Sequence, residues 1–462
     1  MPTRSRRHFL RQLSTGLLAA PLLSESAAAS TLAAPRMSLA ANDRINLACI
    51  GLGIQGFSDL RAALQVPGVQ LVAACDLYTG HLERAREVYG EDVFLTRDYR
   101  EILSRPDVDA VIVATPDHWH DTITIAALDA GKHVYCEKPL VQQLGEGQAV
   151  LEAERRSPGI LIVGSQRVSS VLTEQAREIY RRGDLGQLVL VETFNDRFSA
   201  LGAWQYSIPR DASPATVDWD TFLKDTGDRP FDAKRFFRWR NYRDYGTGVA
   251  GDLFVHLFSG SHRILDSLGP ERIYATGGLR YWDDGRDVPD VFIASCDYGE
   301  QPGHPAFNMQ LRVNFVDGGG GGSRTRFVGT EGSLEISGNS ITLNRKTLPA
   351  APGYGGWDTY DTFPQATRAE FEAWYRSAYP PSPPTVVGPT EWTYRAPEGY
   401  SDHVHHFVNW FDAIRNDGTV VEDGAFGFRA AAPSLAANQS YFERRVVEWD
   451  PVKMRGDSEG PK

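Results

Sequence analysis

Residues 44–56, Arg-Ile-Asn-Leu-Ala-Cys-Ile-Gly-Leu-Gly-Ile-Gln-Gly, run an apolar stretch straight into a glycine-rich turn. Such a run reads as a buried strand, a tight turn and the opening of a helix. Gly51 allows the turn, Gly53 keeps a Cβ away from an approaching pyrophosphate, and Gly56 lets the helix pack against its strand. Ile54 and Gln55 open that helix, whose N-terminus would face the phosphates. A second apolar run, 69–75, ends at Asp76, and the acid falls about 20 residues beyond the last glycine, the spacing of a ribose-binding carboxylate. Strand, turn, helix, strand and acid in this order predict a parallel α/β Rossmann domain that binds a dinucleotide. Asp76 favours NAD, because its carboxylate accepts two ribose hydroxyl hydrogen bonds and repels a 2′-phosphate.

The alternation continues with helical spacing at 80–89 and 99–103 and a strand at 110–114. That strand ends in Thr115-Pro116-Asp117-His118-Trp119-His120, at a carboxyl end where α/β ligands bind. His118 and His120 read either as helix-capping surface residues or as contacts to nicotinamide or substrate. Strand 133–136 leads into Glu137-Lys138-Pro139-Leu140, and a further strand, 160–167, ends in Ser165-Gln166-Arg167 before an amphipathic helix at 172–182. The expected division is a dinucleotide domain over 42–165 and a substrate domain over 166–450.

The second domain opens on a strand at 186–193 and an aromatic, arginine-rich stretch with Trp204, Trp219, Trp239 and Arg240. These rings suit either the C–H faces of a sugar or ordinary core packing. Within 245–257, Asp252 and His256 stand four apart, so on a helix they share a face, where the carboxylate can orient the imidazole and partly neutralise its protonated form. Alternating runs at 274–278, 291–298, 307–315, 325–329 and 332–337 predict an open, mostly antiparallel sheet. The glycines 318–322 read as a hairpin loop, and 344–400, rich in Pro, Gly and aromatics, as irregular excursions.

With 462 residues, 42% of them hydrophobic, the chain has material for two cores. A net charge of −11 speaks against nucleic acid or an anionic membrane surface as partner and leaves a small molecule. Cys49, Cys75, Cys136 and Cys296 all sit in apolar runs and read as buried small hydrophobes, with neither metal nor disulfide spacing. His403, His405 and His406 open an amphipathic helix and read as solvated, so no metal is expected. Residues 1–34 carry Arg6-Arg7, an apolar run over 13–23 and Ala27-Ala28-Ala29, which resembles a twin-arginine signal peptide. The expectation is export of the folded protein to the periplasm or beyond, with no stable membrane span, since no later run reaches the ~20 apolar residues one needs.

Glu-Lys-Pro after the glycine fingerprint and the Thr-Pro-x-x-x-His turn, with Gly-Asp-x-x-x-His at 251–256, closely resembles the glucose-fructose oxidoreductase, inositol dehydrogenase and rhizopine-catabolism family, Gfo/Idh/MocA. The late helices over 403–415 and 426–441 continue the resemblance, so that it covers nearly all of the chain after the signal. It implies a catalytic Lys138 before an often cis Pro139, a catalytic Asp252 and His256, a sugar-like substrate and a homo-oligomer built through the C-terminal sheet. Beyond the fingerprint and Asp76, the cofactor contacts expected are Thr115, Pro116, His118, His120, Glu137, Lys138, Gln166, Trp239 and Arg240. His256 would be the general base, Lys138 would polarise the reacting hydroxyl, and Asp252 would hold His256 while hydride passes to NAD. The alternative within the family is a glycosidase that oxidises, eliminates, hydrates and re-reduces with NAD retained; the oxidoreductase-like Asp252 and His256 favour the first reading.

Overall fold

A computed structural model describes residues 44–346, 351–381 and 389–456; the twin-arginine and triple-alanine stretches lie outside the described residues. Six strands, β1 (Ile45–Ile50), β2 (Val69–Cys75), β3 (Phe94–Thr96), β4 (Ala110–Val113), β5 (His133–Cys136) and β6 (Leu161–Val163), form a parallel sheet in the order β3-β2-β1-β4-β5-β6. All four residues of β4 and all three of β6 are buried, as continuous apolar runs require when helices cover both faces. The strand order reverses between β1 and β4, so a crevice opens beyond their carboxyl ends.

The second sheet has ten strands: β7 (Leu188–Asp196), β8 (Arg272–Gly278), β9 (Val291–Tyr298), β10 (Phe307–Asn314), β11 (Gly322–Gly329), β12 (Gly332–Ser337), β13 (Ser340–Arg345), β14 (Glu391–Arg395), β15 (Val447–Asp450) and β16 (Arg455–Gly456). Their order is β14-β13-β12-β11-β7-β10-β9-β8-β15-β16, antiparallel throughout except for the β7–β10 pair. On β10, Phe307, Met309, Leu311 and Val313 are buried while Asn308, Gln310 and Arg312 face out, the period of a sheet covered on one side. The helices Val255–Leu265 and Gly424–Glu443 pack together behind this sheet, with the latter against β8.

Two expectations for this half are corrected. The glycine run 318–322 is not a hairpin: β10 and β11 both pair with β7, so the run carries the chain across the end of β7. Gly320, Gly321 and Gly322 take φ of 104°, 84° and 136°, which suits glycine alone, and the Asp317 carboxylate accepts from Gly319 and Gly321 N–H at 3.2 and 2.8 Å. The 344–400 region is also more regular than its Pro and Gly content suggested, holding the helix Gln365–Ala378 and β14, which extends the sheet edge beyond β13.

The helix Asp402–Asn416 returns to the Rossmann half. Its Phe407, Trp410 and Phe411 join the core behind β1, and Phe407 stacks on Tyr135 at 4.5 Å. Of the histidines that open this helix, His405 is exposed as expected, whereas His403 is half-buried and His406 is buried. His406 is fully buried between Ser169 Oγ (2.7 Å) and the Val163 carbonyl (2.8 Å), His403 Nε2 meets Asp59 at 2.8 Å, and His405 meets the Tyr400 hydroxyl at 2.9 Å. The four cysteines are buried free thiols. Among the described residues, no helix is long and apolar enough to cross a membrane.

Candidate active site

A cavity of about 380 Å³ lies over the carboxyl ends of β1, β2 and β4, lined by Gly51, Gly53, Ile54, Gln55, Asp76, Thr115, Pro116, Trp239 and Arg240. Gly51 has φ 96°, and a Cβ there would come within 2.5 Å of the Ala114 carbonyl oxygen. A Cβ on Gly56 would stand 1.9 Å from the Gly51 carbonyl oxygen, so the first turn of the helix can approach its strand only without one. Around Gly53 there is nothing within 4 Å of the same position, which leaves open space for a ligand against the backbone. Among the described residues no side chain caps the helix Ile54–Ala63, so its first-turn N–H groups remain available for an anion.

Asp76 borders this cavity with its carboxylate already oriented, accepting from Leu52 N–H at 2.7 Å and Tyr78 N–H at 2.8 Å. Burial alone would raise its pKa, but His81, with Nδ1 3.1 Å from Oδ1, and the two N–H donors outweigh burial and hold the group below its usual range. Arg97 lies on the same wall, yet one of its terminal nitrogens is spent on Leu77 and Thr216 carbonyls and the Thr79 hydroxyl. His81, Arg97 and Tyr99 had no motif to announce them; they arrive through β2 and β3, which end on this side.

His118 and His120, among the expected cofactor contacts, border neither this cavity nor its neighbour. His118 is buried against Phe222 and Tyr245, with Nε2 2.7 Å from the Phe222 carbonyl oxygen and Nδ1 3.3 Å from that of Tyr245; burial lowers its pKa to about 4, so the neutral ring donates from only one of the two nitrogens. His120 bridges the Thr115 and Pro139 carbonyls at 2.9 and 2.7 Å, tying the turn after β4 to the turn after β5. It is Trp119, between them, that reaches the cavity. Trp219 is likewise core, stacked on Phe222.

A second cavity of about 470 Å³ shares Ile54, Gln55, Tyr206 and Arg240 with the first and adds Glu137, Lys138, Gln166, Asp252 and His256. The Lys138–Pro139 peptide bond is cis. Lys138 Nζ donates to Asp252 Oδ1 at 2.8 Å and to its carbonyl at 2.9 Å, and Arg240 Nε donates to the same Oδ1 at 3.2 Å. Burial would raise the Asp252 pKa, but the two cations hold the carboxyl far below its usual range.

The expected partnership of Asp252 with His256 does not form. Residues Ala250–Phe254 make a π turn before the helix Val255–Leu265 begins, so a spacing of four does not stack the two side chains as in an α-helix. His256 Nδ1 is buried with no hydrogen-bond partner among the described residues, and Asp252 instead serves Lys138 and Arg240. Burial, then the charges of Lys138 and Arg167, push the His256 pKa well down, which keeps the imidazole neutral and able to accept a proton.

Glu137 and Gln166, expected as cofactor contacts, border the second cavity and not the first. Glu137 Oε1 accepts from Gln166 Nε2 at 2.8 Å and Gln55 Nε2 at 3.1 Å, while Oε2 accepts from Lys138 N–H at 3.1 Å. Burial and the nearby Asp59 raise its pKa to about 8. Gln55 also donates to Asp59 at 2.8 Å, so the glycine-turn helix and the lysine turn are held in one network. Ser58, Arg167, Asn195, Arg197, Trp204, Leu253, Asp402 and His403 complete the lining. Of these, Arg167, Trp204 and His403 stood in stretches singled out from the sequence; Arg197 follows β7, whose carboxyl end could be placed only once its sheet was known.

Residues 45–165 match the model of an oxidoreductase family, GFO_IDH_MocA, with an NAD-binding Rossmann fold. The inositol 2-dehydrogenase of Salmonella typhimurium is 31% identical over 163 residues, 35% of this chain and 48% of that protein. A glycosyl hydrolase family 109 protein of Shewanella sp. strain ANA-3 is 32% identical over 181 residues, 34% of this chain and 39% of the relative. The chain thus spans about half or less of the curated relatives it matches. Levoglucosan dehydrogenase in complex with NADH and L-sorbose superposes with a TM-score of 0.62 at 19% identity, covering 89% of this chain and 100% of that one. The aldose-aldose oxidoreductase of Caulobacter crescentus complexed with glycerol gives a TM-score of 0.61 at 18% identity, with coverages of 88% and 99%. The described chain therefore has the two-part fold of these structures, and residues 45–165 form an NAD-binding Rossmann domain matching the Gfo/Idh/MocA oxidoreductase family.

Proposed function

We propose that this chain is an NAD-dependent oxidoreductase acting on a CH–OH carbon of a sugar or sugar derivative. The observation that carries the reading is the convergence of the Lys138 ammonium and the neutral His256 imidazole on one cavity, which meets the nucleotide cavity at Ile54, Gln55 and Arg240. Lys138, held by Asp252, donates a hydrogen bond to the substrate hydroxyl; His256 takes the hydroxyl proton as the carbon loses hydride. Bound NAD supplies the hydride acceptor. Inositol 2-dehydrogenase among the relatives supports a polyol or sugar as substrate.

The family 109 glycosyl hydrolases among the relatives support a second reading, in which the same groups serve a redox-neutral glycoside cleavage. The twin-arginine pattern at Arg6-Arg7 supports export in the folded state, where free dinucleotide is scarce and retention of NAD is an advantage. Exposed Val189, Tyr274 and Ile293 on the outer face of the second sheet support self-association there. Purified enzyme without added NAD is the deciding preparation. Build-up of NADH on free sugars supports the dehydrogenase, and many turnovers of an aryl glycoside with no net NADH support the hydrolase. Replacing Arg6 and Arg7 by lysine should leave the protein in the cytoplasm; unchanged export removes that part of the proposal.

A further inference from the structure

The cavity that holds Lys138 and His256 is cationic in a chain whose net charge is −11. Lys138, Arg167, Arg197 and Arg240 border it, against the carboxyls of Asp252, Asp402 and Glu137. Asp252 is already shared between Lys138 and Arg240. Asp402 accepts from the His403 N–H at 2.9 Å at the start of its helix, and buried Glu137 is held toward its neutral form. Arg167, from the turn after β6, and Arg197, at the end of β7, have no carboxylate within ion-pair distance among the described residues. Arg197 is nonetheless held in place: one guanidinium nitrogen donates to the Gly202 carbonyl at 3.0 Å and its plane lies over Phe315 at 5.4 Å. Four cations drawn to one cleft repel each other, and a ligand of opposite charge offsets that repulsion.

From this we infer that the substrate is an anionic sugar, a carboxylate-bearing uronate or aldonate or a sugar phosphate or sulfate ester, whose charged group is bound by Arg197 and Arg167. The inference rests on the reading of this cleft as a sugar site. It adds a consequence for catalysis. Lys138, Arg167 and Arg197 all disfavour protonation of His256, so an anion placed among them makes His256 a stronger base. The anionic group should therefore raise kcat as well as lower KM.

The test uses full-length, NAD-saturated enzyme and matched pairs: D-galactose against D-galacturonate, and D-glucose against D-glucuronate and glucose 6-phosphate. Calorimetric binding and NAD reduction are read separately. The acidic member of a pair should bind about 10-fold to 100-fold tighter, the range of a charge-assisted hydrogen bond, and the gap should narrow at high salt. Arg197→Gln and Arg167→Gln, with melting temperatures near wild type, should lose most of the preference, whereas Arg272→Gln on the outer sheet face should keep it. A stronger response to the uronates assigns a carboxylate, and to the phosphate an ester. Preferred binding of acids without NAD reduction by any sugar supports the anion site and removes the oxidoreductase reading. Oxidation of neutral sugars with no preference for acids, a preference that survives both arginine variants, or no binding by either class overturns the inference.

Discussion

The Asp252 carboxylate is held by two cations, its Oδ1 accepting from Lys138 Nζ at 2.8 Å and from Arg240 Nε at 3.2 Å. The Gly-Asp-x-x-x-His spacing marks Asp252 and His256, but the carboxylate's partner is Lys138, 114 positions away in sequence, and only the junction of the two sheets brings them together. Both side chains are about nine-tenths buried, at 9% and 10% exposure. Asp252→Asn should leave two cations facing each other in the cleft and cost about 3–5 kcal/mol in denaturant unfolding, as loss of one partner of a buried pair does; a loss below about 1 kcal/mol would place the pair in solvent-like surroundings. Glu137 gives a pH signature. Its folded pKa is raised to about 8, against about 4.3 for an unfolded glutamate, so between these values the unfolded chain has released a proton that the native state still holds. Its contribution is fully present below the unfolded value and is lost as pH rises toward 8. Glu137→Gln should therefore melt higher than wild type at pH 9 by a margin that shrinks toward pH 5, and a margin independent of pH would contradict the shift.

At the scale of elements, what could be read from the sequence is what depends on neighbours in sequence. Five of the six parallel strands, the glycine turn and the strands 291–298 and 332–337 carry their own periodicity and turn residues, and they stand where the pattern puts them, whereas β3, three residues long, is too short to show a period and has no counterpart in the sequence reading. Pairing over distance was not legible: β7 sits between β10 and β11, which turns a presumed hairpin into a crossing, and β14 joins its edge after an excursion of more than forty residues. The burial of His118, His120 and His406 was missed for the same reason, since the carbonyls they bind belong to other elements. The tightest local fit is at Gly56. Gly56→Ala would set a methyl 1.9 Å from the Gly51 oxygen and should cost about 1–3 kcal/mol, with weaker NAD binding because the turn must open. An alanine variant with wild-type melting temperature and NAD affinity would show that the helix can shift freely.

For the whole molecule, the site depends on segments far apart in the chain. The helix after β1 supplies Gln55, the turn after β5 supplies Lys138, and the π turn before the helix Val255–Leu265 supplies Asp252. The late helix Asp402–Asn416 then closes on the Rossmann core through Phe407 and Trp410, so a division at residue 165 follows sequence order and not packing. The central claim is that this assembled cleft moves a proton and a hydride between a sugar hydroxyl and NAD. Rapid mixing of NAD-loaded enzyme with a substrate identified from the sugar panel, followed by nicotinamide absorbance, tests it most directly. Wild type should form NADH in a single turnover, while Lys138→Ala and His256→Ala should slow that step by about 10²-fold to 10⁴-fold with NAD still bound. NADH formation at the wild-type rate in either variant would contradict the role assigned to that residue, and in both would place the chemistry elsewhere.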